Sequence, residues 1–153
     1  MKIEEVIQQR KFVNEYHKAQ INILYTATWL NQRTAEILKP YGLTWQQFNI
    51  LRILRGRHPE PATVKLLTER MIDKMSNASR LVDKLLKKGL VERSTCTDDR
   101  RRVDVSLTPE GMQMVNQVSQ NMERDMERAD LGLSPDELIQ LNELLDRLRV
   151  SEK

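Results

Sequence analysis

Two clusters in this sequence carry groups suited to a polyanion. The first holds Lys74, Ser76, Asn77, Ser79, Arg80 and Lys84; the second is Asp99-Arg100-Arg101-Arg102 in a polar stretch. Asn pairs bidentately with adenine, and Arg with guanine, on major-groove base edges. Ser and Lys more often meet phosphate, which positions a protein without specifying a sequence. Arginines on a projecting ribbon can enter a minor groove. Asp83 shares the spacing of the first cluster, but a carboxylate is repelled by phosphate and reads as a solvated position.

These groups need particular elements beneath them. The pattern from Asp73 or Lys74 to Gly89 predicts an amphipathic helix that buries Met75, Ala78, Leu81, Val82 and Leu85. Ser76, Asn77, Ser79, Arg80, Asp83 and Lys84 then share its opposite face. An extended run from Leu90 to Ser94 follows, then the loop with the three arginines, then Val103 to Leu107. In that last run Val103, Val105 and Leu107 alternate with Asp104 and Ser106, the period of a strand. A helix that fits a groove about 12 Å wide, followed by a hairpin with cations at its tip, is the helix-and-wing half of a winged helix-turn-helix.

Upstream, Glu4 to Lys39 reads as one long helix with Phe12, Tyr16, Ala19, Ile23, Ala27 and Leu30 on one stripe. Lys39-Pro40-Tyr41-Gly42 ends it. Thr44 and Gln47 form a capping-box pattern opening a helix with Phe48, Leu51 and Leu54 inward, ending near Arg57. After His58-Pro59-Glu60-Pro61, residues Thr63 to Arg70 make a short helix with Leu66 and Leu67 inward. Downstream, Thr108-Pro109 restarts helix to about Ala129. Ser134 to Glu137 is a second capping box, opening a helix with Leu138, Leu141, Leu145 and Leu148 at helical spacing. Residues 1–40 and 108–153 thus read as helical arms around a winged helix-turn-helix core at 41–107. Their apolar seams exceed what one small core can cover, which predicts a homodimer.

Composition narrows the classes. Residues 1–102 hold 20 of the 25 basic and 11 of the 22 acidic side chains, so the positive charge is concentrated there. That asymmetry suits one region facing a polyanion. No apolar run approaches the ~20 residues of a membrane span, and the first residues lack a signal-peptide core. A single Cys among 153 residues excludes an internal disulfide framework and fits a cytoplasmic location. No Gly-rich phosphate loop, nucleophile beside a base or metal-ligand spacing suggests an enzyme, and nothing calls for a cofactor.

In order and spacing, three segments resemble the MarR family of bacterial winged-helix regulators. They are Gly42 to Phe48, Asp73-Lys74 with Ser76 to Arg93, and Asp99 to Arg102 leading to Leu107-Thr108-Pro109-Glu110-Gly111. The resemblance implies a mainly α fold with a small antiparallel β-wing and an obligate homodimer with interlocked terminal helices. It implies repression, less often activation, at a pseudo-palindromic operator in double-stranded DNA. Release by a small anionic or phenolic effector, or by cysteine oxidation, is also implied. Ser76, Asn77, Ser79 and Arg80 fall at groove-facing positions, and Asp99 and Arg101 match an Asp-x-Arg wing pattern. Asn77 departs from the family, where Thr is frequent, and this bears on which bases are read.

Other residues invite specific chemistry. Cys96 lies near basic residues that could activate its thiol, but redox-sensing relatives place their cysteine near the first helix, where this chain has none. His17 and His58 lie far apart without a Cys partner, so no metal site is expected. His17, Tyr25, Trp29 and Met112 are the candidates for an effector site between the N-terminal arm and the core. Trp45 is a further aromatic candidate. Each also suits ordinary packing, and the methionines of residues 112–126 suit core filling. The competing reading is a winged helix used for protein assembly without DNA, which calls for an apolar or acidic recognition face.

Overall fold

A computed structural model describes residues 1–95, 103–128 and 132–149. The chain divides into two compact units, residues 1–119 and 120–153. In the first unit the expected single N-terminal helix is broken. A short α1 (Ile3–Val6) precedes α2 (Glu15–Leu38), with Gln8 in the left-handed region at φ 54° between them. Asn14 is extended, and its Oδ1 accepts the His17 N–H at 2.8 Å. A side chain that satisfies a helix's first donors stops the helix from running through it. The stripe from Phe12 to Leu30 therefore straddles a boundary that periodicity alone cannot show. Lys18 reaches back to Glu4 at 2.5 Å, joining α2 to α1.

The next two α-helices follow the sequence closely. A 3-10 turn (Lys39–Tyr41) leads to Gly42 and then α3 (Trp45–Arg57). Thr44 accepts the Gln47 N–H at 3.2 Å, while the Gln47 side chain accepts the Thr44 N–H at 3.0 Å. Phe48, Ile50, Leu51 and Leu54 are buried. Thr63 caps α4 (Val64–Arg70), accepting the Leu66 N–H at 3.1 Å. The helix expected to face DNA is α5 (Ala78–Lys87), and Gly89, at φ 68°, makes the left-handed exit that a side chain would resist.

The wing strands are β2 (Val91–Thr95) and β3 (Val103–Leu107), antiparallel with Val91 opposite Leu107 and Thr95 opposite Val103. A third strand was not expected. β1 (Ala62–Thr63) pairs antiparallel with β3, giving the order β1-β3-β2. Two residues are too short to show a period, and the pairing joins segments some forty positions apart in the chain. β1 covers β3 only at Asp104 and Val105. Val105 is accordingly fully buried and Asp104 nearly so, whereas Val103 lies beyond that cover and is exposed. The expected sorting of Val103 with Val105 and Leu107 on one covered face fails there.

The wing root is clamped onto α6 (Pro109–Arg128). Thr108 donates its hydroxyl to the Gly89 carbonyl at 2.7 Å and accepts the Gly111 N–H at 3.0 Å. At Gly111 an added Cβ would lie 1.9 Å from the Leu90 carbonyl oxygen, so only glycine admits this approach. Among the described residues of α6, Val115 and Val118 are fully buried, whereas Met112 and Met114 are half-buried. Arg55 on α3 donates to Ser119 Oγ at 2.8 Å and tightens the same seam.

The second unit holds the end of α6 and α7 (Pro135–Leu148). The expected capping box is present. Ser134 accepts the Glu137 N–H at 3.3 Å, and Glu137 accepts the Ser134 N–H at 2.7 Å. No residue of α7 is buried, and Ile139, Leu141, Leu144 and Leu148 are all exposed.

Candidate nucleic-acid interface

The turn before α5 is built by polar side chains bonding to backbone. Asn49, buried on α3, accepts the Ile72 N–H at 3.0 Å. Asp73 accepts the Met75 N–H at 3.0 Å. The polar surroundings of its carboxylate, Ser76 first and then the Met75 N–H, hold its pKa below the ordinary value. Asn77 then caps α5, accepting the Arg80 N–H at 3.0 Å. The helix therefore starts at Ala78, four or five residues later than the pattern predicts. Asp73 and Asn77 offer the backbone partners outside a helix, and that competition decides the boundary. The correction carries Met75 with it: expected inside, it is 94% exposed.

Along α5 the two faces separate cleanly. Ala78, Val82 and Leu85 are buried, and Leu81 and Leu86 flank them half-buried. Ser79, Arg80, Asp83, Lys84 and Lys87 are exposed on the opposite arc. Lys87 was not among the sequence candidates, though it follows Arg80, Asp83 and Lys84 at helical spacing and could have been read from them. Ser76 and Asn77 stand in the turn before this face rather than on the helix. Lys74 is exposed in the same turn, its ammonium donating to the Glu69 carbonyl at 2.5 Å. Asp83 is not simply solvated, because Arg93 on β2 donates to it at 2.6 Å. Asp99, Arg100, Arg101, Arg102 and Cys96 lie outside the described residues.

The effector candidates are dispersed over the first unit. His17 begins α2, its Nδ1 accepting the Val13 N–H at 3.4 Å and its ring edge-on to Phe12 with centroids 5.8 Å apart. Tyr25 and Trp29 are exposed on α2, and the Arg33 guanidinium lies over the Trp29 ring at 5.8 Å. Met112 is half-buried on α6, and Trp45 packs obliquely on Phe48. Among the described residues, no hydrogen bond or ring contact joins His17, Tyr25, Trp29 and Met112 to one another. An open cleft of about 350 Å³ lies instead at the start of α4, lined by Arg57, Pro61, Thr63, Lys65, Leu66 and Glu69. Among the described residues no group of His, Cys, Asp or Glu could hold a metal ion, and no helix is long and apolar enough to cross a membrane.

The segment that carries this geometry, residues 43–103, matches the model of the MarR family. Its helix-turn-helix and the first wing strand fall inside the match. Residues 43–103 carry a MarR domain. Solved MarR structures agree along most of the chain's length. A MarR transcription factor from Planctomyces limnophilus is 29% identical, with a TM-score of 0.66 over 89% of this chain and 98% of its own. A MarR variant from E. coli, solved in complex with operator DNA, is 26% identical, with a TM-score of 0.70 over 84% of this chain and 91% of its own. The Bordetella bronchiseptica regulator BpsR shares the fold at 22% identity, with a TM-score of 0.72 over 86% of this chain and 93% of its own. The mainly helical winged fold expected from sequence is thus the MarR fold, and its neighbours are transcriptional regulators.

Proposed function

We propose that this chain binds double-stranded DNA as a homodimer and regulates transcription, as a repressor acting at a pseudo-palindromic operator. The observation that carries the reading is the exposed arc of α5. Arg80, Lys84 and Lys87 stand there opposite buried Ala78, Val82 and Leu85, on a helix of the right width for a major groove. An assembly module without DNA would call for an apolar or acidic face, and this one is neither. The 26% identical E. coli neighbour bound to operator DNA supports the same use of the fold.

In this reading Ser79 and Arg80 meet base edges, and Lys74, Ser76, Asn77, Lys84 and Lys87 fix the helix through phosphate or the turn. Asp99 orients Arg100 to Arg102 for the flanking minor groove. The exposed apolar residues of α2 and α7 supply the subunit contact, because patches of this kind on a regulator mark an interface. A small anionic or phenolic effector near His17, Tyr25, Trp29 and Met112 would release DNA only by binding the released form more tightly than the DNA-bound form.

Filter binding with genomic fragments tests the core of this reading. Saturable retention of a few fragments, weakened steeply by salt, is expected. Retention no greater than for an acidic carrier protein, at low salt, would remove the DNA reading and leave the assembly module.

A further inference from the structure

Met75 combines two properties that seldom meet. Its side chain is 94% exposed, yet its backbone is tightly held. The Met75 N–H is fixed by Asp73 at 3.0 Å, the Ser76 N–H reaches the Asp73 carbonyl at 3.2 Å, and Ile72 is pinned by Asn49 at 3.0 Å. Two residues later Asn77 caps the recognition helix. A large apolar side chain is therefore presented at a fixed point at the leading end of α5. The Asn77 oxygen there is already engaged, accepting the Arg80 N–H.

The chemistry of a thioether restricts what it can read. Met donates no hydrogen bond and accepts only weakly, so it suits neither phosphate nor the polar base edges. The apolar feature that a base pair presents in the major groove is the thymine 5-methyl group. Residues at the N-terminal end of a recognition helix are the ones that reach base edges. A flexible, polarizable side chain packs well on such a methyl. We infer that Met75 is a specificity-determining residue that packs on the 5-methyl group of one thymine in each half-site. This rests on the DNA-binding reading above.

The test starts from a random-sequence duplex library selected in parallel by the full-length wild type, Met75→Leu and Met75→Ala. Wild type and Met75→Leu should enrich thymine at one position per half-site where Met75→Ala shows no preference. Replacing that thymine with deoxyuridine in the selected duplex removes only the methyl. Wild type should then lose about fourfold in affinity, the equivalent of one buried methyl, and Met75→Ala should lose nothing. Thermal melts of the three proteins should coincide, since the side chain is exposed. If Met75→Ala enriches every thymine that wild type does, or pays the same deoxyuridine penalty, the inference is overturned while DNA binding stands. If wild type enriches no duplex at all, the DNA-binding reading fails and this inference falls with it.

Discussion

Arg93 on β2 donates to the Asp83 carboxylate on α5 at 2.6 Å, so the wing and the recognition helix share one ion pair. Both side chains are partly exposed, and exposed pairs of this kind contribute little to stability, about 0–1 kcal/mol. Their value lies in angle. If α5 enters a groove as proposed, the pair fixes the angle of β2 to that helix. Asp83→Ala should barely move the melting temperature. It should raise affinity for scrambled duplex, since a carboxylate leaves the DNA-facing arc, and lower the ratio of selected to scrambled binding. Adding Arg93→Ala should cost less specificity in that background than in wild type, the signature of coupled residues. Additive losses in a double-mutant cycle would show that the pair does not act as a unit.

Gly111 makes the second prediction. Any side chain there meets the Leu90 backbone carbonyl, with a Cβ at 1.9 Å, and backbone at the wing root cannot step aside as a flexible side chain would. Gly111→Ala should lower stability by about 1–3 kcal/mol, the usual cost of overpacking. Gly56, in α3 with open space around its Cβ position, is the control. Gly56→Ala should raise stability by roughly 0.5–1 kcal/mol. Urea melts of the two variants should therefore move in opposite directions.

The sequence disclosed the elements whose signals are local. Thr44 with Gln47 and Ser134 with Glu137 cap their helices as expected, because a capping box is complete within four residues. The exposed positions of Ser79, Arg80 and Lys84 followed from helical period. What was hidden depends on competition or on distance. Asn14 and Asn77 each cap a helix that the apolar pattern would carry through them. That misplaced Phe12 and Met75 together. β1 pairs with a strand some forty positions away, and the Asp83–Arg93 pair forms across the turn between a helix and a strand, so neither follows from the period of a single element. On α6 the methionines drew attention, but the buried seam is Val115 and Val118, one turn apart.

Acid should loosen the turn that carries Met75 and Ser76. Asp73 has its pKa lowered from the ordinary 3.8 by the Ser76 hydroxyl first, then by the Met75 N–H. A carboxylate whose pKa is depressed in the folded state adds stability that is full above the unfolded value and lost as pH falls through the folded one. The contribution of Asp73 should therefore be intact at neutral pH and begin to fade below about pH 3.8. Glu4, held by Lys18, and Glu137, held by the Ser134 N–H, act in the same direction. The Asp73 part is isolated by subtracting the pH-dependent melting curve of Asp73→Asn from that of wild type. The difference should shrink on acidification, and a difference constant from neutral pH to pH 2.5 would remove the role.

Dimerisation is tested on α7, where nothing need unfold. Leu141 and Leu148 are 42% and 47% exposed, so charges there should be tolerated by the isolated subunit. In a dimer interface the same charges are desolvated without partners and strongly disfavoured. Leu141→Glu with Leu148→Glu should convert a micromolar dimer to monomer in sedimentation velocity, with helicity unchanged. Specific DNA binding should fall with it, because two half-sites are read together only by two linked subunits. A double variant that still sediments as wild type would place the subunit contact elsewhere.

Arg80 and Arg101 should separate reading from holding. Arg80 is exposed on α5, one turn before Lys84 and beside the capped helix start, where a guanidinium can reach a base edge. Its loss should cost roughly 1–3 kcal/mol on the selected duplex and much less on scrambled DNA, relaxing preference at one or two positions. Arg101, read from the sequence as a wing residue, should act through minor-groove width and charge rather than base identity. Arg101→Ala should therefore weaken binding to most duplexes alike and flatten the salt dependence by about one ion per subunit. Asp99→Ala should partly reproduce Arg101→Ala in affinity but keep its salt slope, because the charge remains and only its orientation is lost. Titrations of the three variants against selected and scrambled duplex at several salt concentrations distinguish these outcomes. If Arg101→Ala binds both duplexes as wild type does, the wing makes no DNA contact and the helix acts alone.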